Sequence, residues 1–165
     1  MCNAISFSPQ KSVYLRVSQK KIENTRIMLV KTYGSAVHGI DATTITIEVD
    51  VSRGIRFNMV GLADLAVRES QQRIDAALRF NGFKLPGKKT VINMAPANIH
   101  KEGSAYDLPI AMGILSASEQ INTPEIGRFV MMGELSLDGG LQSVKGVLPI
   151  AIRAREKVFI FVLPN

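Results

Sequence analysis

Between residues 43 and 51 the chain alternates strictly, with Ile45, Ile47, Val49 and Val51 pointing one way and Thr44, Thr46, Glu48 and Asp50 the other. A period of two over this length predicts a strand with one buried and one solvated face. Ser52, Arg53 and Gly54 supply a tight turn after it, and residues 55–60 are expected to return as the second arm of a hairpin. Ahead of it, residues 29–37 predict another strand, interrupted at Gly34 by a bulge or turn. The period then changes. From Leu65 to Phe80 apolar residues fall on one side of a helix (Val67, Ile74, Ala77, Leu78, Phe80), with Asp64 placed to cap its start and Asn81-Gly82 to stop it. Its other side carries Arg68, Glu69, Gln71, Gln72, Arg73, Asp75 and Arg79, a solvated face on which Glu69 and Arg73 are spaced for a helical ion pair.

A buried strand follows at residues 89–94, through Val91, Ile92 and Met94, and breaks at Pro96. After a polar loop holding His100, Lys101, Glu102, Gly103 and Ser104, a helix begins at Asp107. Leu108, Ile110, Ala111, Met112, Ile114, Leu115 and Ala117 make it apolar nearly all round, which predicts a core helix. Asp107 is expected to be its N-cap, its carboxylate accepting from unpaired N–H groups of the first turn, where Pro109 is also tolerated. Past a loop at 122–127, residues 129–137 predict a strand, Asp138-Gly139-Gly140 a hairpin turn, and 141–144 the strand that pairs back. A helix at 147–156, begun near Gly146, and an apolar strand at 158–163 ended by Pro164 complete the order. Strands and helices mixed in this way predict an α/β (mixed α+β) sandwich, its sheet covered mainly on one face.

Composition narrows the function. At 165 residues the chain suits one domain able to bury roughly 70% of its unfolded surface. No run reaches the roughly 18 apolar residues of a membrane span and no signal peptide is present, so a cytoplasmic location without membrane contact is expected. One cysteine, Cys2, excludes a disulfide framework, and His38 and His100 lack partners at metal-ligand spacing. The net charge is +6, but Lys11, Arg16, Lys20, Lys21 and Arg26 against Glu23 place +4 of it in residues 1–27. With +2 left for residues 28–165 and no interleaving of aromatic and basic side chains, autonomous DNA binding is a secondary reading.

Three runs carry a resemblance: FNMVGLADLAVRESQQRI, APANIHKEGSAYDLPIAMGIL and MGELSLDGGLQSVKGVLPIAIRA. In order and spacing they resemble the N-terminal domain of the ComM/YifB family of magnesium-chelatase-related proteins, over residues 28–165. Residues 1–27 do not resemble it and are read as a basic leader without structure or a start placed upstream of Met28. The resemblance implies a Lon-protease-like domain of the ribosomal-protein-S5-domain-2-like fold, with one βαβ crossover possible in the left-handed sense. It implies an AAA+ ATPase domain beyond residue 165, which would hold the ATP and Mg, and a homo-hexameric protein acting in DNA branch migration during natural transformation. Neighbouring subunits, the chain's own AAA+ domain and DNA are the implied partners.

The same resemblance frames the chemistry. Lon-type peptidases use a serine at the start of the central helix and a lysine on the next one. Matched residue by residue, those positions fall on Asp107 and near Leu148, so both halves of the dyad are missing. Ser104 and Lys145 lie three residues before them, a displacement of several ångströms, at roughly 3.3 Å per residue if extended, that would spoil catalytic positioning. No GxxxxGK[ST] phosphate loop occurs, and residues 133–140 lack its lysine and hydroxyl, so no cofactor is expected in this chain. The expectation is a non-catalytic domain whose interaction residues are His100, Lys101, Glu102, Tyr106, Asp107, Glu134 and Lys145. A Ser104–Lys145 peptidase and a free-standing DNA-binding module are the alternatives.

Overall fold

The computed structural model describes residues 28–157 and 160–162; the basic leader expected at 1–27 lies outside them, as does the strand end at Pro164. Six strands form one mixed sheet in the order β3-β4-β2-β1-β5-β8. They are β1 (Met28–His38), β2 (Asp41–Ser52), β3 (Phe57–Val60), β4 (Lys89–Ala95), β5 (Phe129–Met131) and β8 (Ile160–Val162). Two short strands, β6 (Glu134–Leu135) and β7 (Leu141–Gln142), make a separate antiparallel pair. The helices are α1 (Leu65–Phe80), α2 (Asp107–Ala117) and α3 (Val147–Glu156). The expected mixed α/β fold is observed.

The alternation in β2 sets the core. Ile45, Ile47 and Val49 are fully buried and Val51 nearly so, and β4 sets Ile92 opposite Val49 and Met94 opposite Ile47. Each such side chain contributes roughly 1.5–3 kcal/mol by leaving water. Thr90 rather than Val91 completes the buried set of β4, because Val91 is on the other face. Helix α2 covers this apolar face closely. A Cβ on Gly113 would come within 2.7 Å of Val49 Cγ2, so the small residue sets the distance between helix and sheet.

Four expectations are corrected. β1 runs unbroken through Gly34, which pairs with Ile45; the missing side chain leaves room for the Tyr106 ring and Met132 sulfur, 3.2 and 3.3 Å from where a Cβ would stand. β3 does not form a hairpin with β2. It pairs in parallel with β4, which lies between them, because β4 offers an alternating buried face to β2 while half-exposed β3 fits an edge. The strand expected over 129–137 splits into β5 and β6. At the break, Gly133 donates its N–H to Ala105 O and accepts from Leu108 N–H, so its backbone pairs with the start of α2. Phe80, assigned to the packed side of α1, is 73% exposed.

Candidate functional site

The start of α2 is held from below by a knot of two loops. Asp64 caps α1 as expected, one oxygen accepting the Val67 N–H at 2.7 Å, and its other oxygen accepts the Gly103 N–H at 3.0 Å. Lys101 ties the same loops together. Its backbone accepts from Asp64 N–H and donates to Leu62 O, while its fully buried ammonium donates to Gly61 O at 2.6 Å and to Pro96 O. Burial pushes this ammonium below the ordinary lysine range. Lys101, expected on an interaction surface, is therefore an internal strut.

Asp107 is the first helical residue and not the cap; Tyr106 holds the cap position without a side-chain capping bond, its hydroxyl donating to Ser35 O at 3.1 Å. The fully buried Asp107 carboxylate turns instead to α1 and β6. Arg73 Nε donates to it at 2.6 Å and Arg73 Nη2 at 3.0 Å, and Leu135 N–H donates at 3.1 Å. The Arg73–Glu69 pair expected on the solvated face is absent because the guanidinium has swung inward. Burial pushes the Asp107 carboxyl up, partly offset by Arg73 and the Leu135 N–H, and the carboxylate pushes Arg73 up in turn. A two-pronged pair of this kind fixes three elements against one another.

A cleft of about 600 Å³ opens between the end of β1, the loop before α2 and the turn into α3. His38, His100, Glu102, Ser104, Glu134 and Lys145 all line it, with Tyr106 at its wall. Ser104 Oγ donates to the Glu134 carboxylate, and His100 Nδ1 pairs with Glu102 at 2.9 Å. Ser104 and Lys145 thus share the cleft without bonding to each other, and Lys145 has no hydrogen bond or ion pair among the described residues. At the Asp138–Gly140 turn the amides are already used: Gly140 N–H donates to Asp138 Oδ1 and Gly139 N–H to Ser136 O. Among the described residues no three His, Cys, Asp or Glu side chains converge as metal ligands.

A family model for subunit ChlI of Mg-chelatase matches residues 47–165. Competence protein ComM of Haemophilus influenzae is 42% identical over 129 residues, 78% of this chain and 25% of that protein. The chain belongs to the ComM/YifB family. YifB of Escherichia coli is likewise 42% identical, over 120 residues that cover 72% of this chain and 24% of YifB. The chain thus spans about a quarter of the length of these relatives. In this ComM/YifB member the residue that sequence reasoning passed over is Arg73, whose helical position gave no sign that it reaches Asp107, 34 residues away.

Proposed function

We propose that the chain is a non-catalytic, Lon-like N-terminal module of a ComM/YifB-type AAA+ protein, supporting assembly of a hexameric ring and passage of DNA in branch migration. ATP and Mg belong, on this reading, to the AAA+ segment of the family protein. The observation that carries it is the state of Asp107. Where a Lon-type peptidase would hold its attacking hydroxyl, this chain has a carboxylate sealed from solvent and neutralised by Arg73. Such a group can neither attack a substrate nor exchange protons with one. Three further features agree. Ser104 is committed to Glu134, and the amides of the glycine turn are bonded within the turn and faced by Asp138, which disfavours a phosphate. Val60, Leu62 and Leu65 are exposed where β3 passes into α1, an apolar surface suited to a neighbouring domain.

The test is a hybrid in which this chain replaces the matching quarter of Haemophilus ComM. Mass photometry is expected to find the same ring size as the parent. A hybrid that stays monomeric while its ATPase segment remains folded would remove the assembly role.

A further inference from the structure

A second surface lies at the opposite end of β2 from the cleft. The strand spans 12 residues, about 36 Å at roughly 3.3 Å per residue. There the β2–β3 turn and the connection into β4 come together: Ser52 pairs with Lys89, Phe57 with Thr90, Thr90 N–H donates to Arg56 O at 2.6 Å, and a Cβ on Gly54 would stand 3.4 Å from Lys89 Cβ. Arg53, Arg56, Lys88 and Lys89 are thereby gathered at one end of the sheet, all exposed. Among the described residues none of the four makes an ion pair or a side-chain hydrogen bond. Carboxylates are missing from both contributing segments, since residues 51–63 and 76–101 contain neither Asp nor Glu. The nearest acid along β2, Asp50, is bonded to Ser52 Oγ inside the strand.

We infer that this cationic end is a contact surface for the phosphate backbone of duplex nucleic acid. Unpaired arginine and lysine heads on two adjoining turns suit a row of phosphates, contacts that position a protein on a duplex without reading its sequence. A membrane surface fits less well, because the large apolar side chains exposed at this end among the described residues, Ile55 at the tip of a turn and Leu29 on β1 opposite Asp50, do not lie on an amphipathic helix. The inference is separate from the cleft and from ring assembly. It shares with the proposed function only the handling of DNA.

The experiment compares two charge-matched variants of the whole chain, Arg53→Gln/Arg56→Gln/Lys89→Gln and Arg68→Gln/Arg155→Gln/Lys157→Gln, for binding to a short labelled duplex over a salt series. An unchanged urea midpoint checks that each variant folds. Loss of three phosphate contacts makes the negative slope of log affinity against log salt shallower by roughly 2.7, and this is expected for the first variant alone. Equal slopes for the two variants overturn the inference, whether both fall or neither does. So does patch-dependent binding to phosphatidylserine vesicles without binding to the duplex. Ring size, measured separately, stays as it is when the patch is removed, so failure here and failure of the assembly proposal give different results.

Discussion

A buried carboxylate at the first position of a helix would be costly alone, and Arg73 is what makes Asp107 tolerable. The guanidinium reaches it from α1 with its own side chain only 20% exposed, so solvent screens the pair weakly. Arg73→Ala is expected to lower the unfolding free energy by about 3–5 kcal/mol, because it strands a fully buried charge. The sign of the pH dependence follows from the same burial. A carboxyl whose pKa is raised on folding takes up a proton in the folded chain before the unfolded one does, so the variant recovers stability as pH falls from neutral through that raised value. Urea titrations of parent and variant at neutral and mildly acid pH check this; an equal deficit at both would contradict it. That a carboxylate stands at the position the resemblance matches to the Lon-type serine was legible in the sequence. Its partner was not, because a contact across 34 residues leaves no local period.

At the scale of elements, two loops rather than a long helix position the cleft. Gly61 must take a φ of 104°, and any side chain there would collide with the Met94 carbonyl, so the end of β3 lies against β4 and presents its own carbonyl to Lys101. Lys101→Met keeps the length of the strut but leaves the Gly61 and Pro96 carbonyls unpaired. A loss of about 2 kcal/mol is expected, with faster hydrogen exchange at the Asp64 and Gly103 amides. Unchanged exchange would mean that the loops are tied together by something else. Elements with a strong period were readable in advance: β2 from Ile45, Ile47, Val49 and Val51, α1 from Val67, Ile74, Ala77 and Leu78, and α2 from its unbroken apolar surface. Pairings were harder. The partner of β3 arrives only after α1, and the break between β5 and β6 depends on the bonds of Gly133 to Ala105 and Leu108, which no pattern within residues 129–137 records.

For the whole molecule, the family resemblance read from three motif runs is matched by relatives at 42% identity, and of the seven expected interaction residues five (His100, Glu102, Tyr106, Glu134 and Lys145) line the cleft, while Asp107 and Lys101 are buried. On the proposed Lon-like reading the scaffold keeps the shape of a cleft without the groups that cut, because packing holds a shape and only a few side chains supply a reaction. Here Ser104 and Lys145 face one space, yet the serine donates to Glu134. The decisive measurement is exposure of the purified chain to a fluorophosphonate probe, followed by mass spectrometry of the peptide that contains Ser104. No adduct is expected on Ser104. An adduct that forms at the rate of a working serine hydrolase, and vanishes in Lys145→Ala, would show that Ser104 and Lys145 act as a catalytic pair and would contradict the non-catalytic reading.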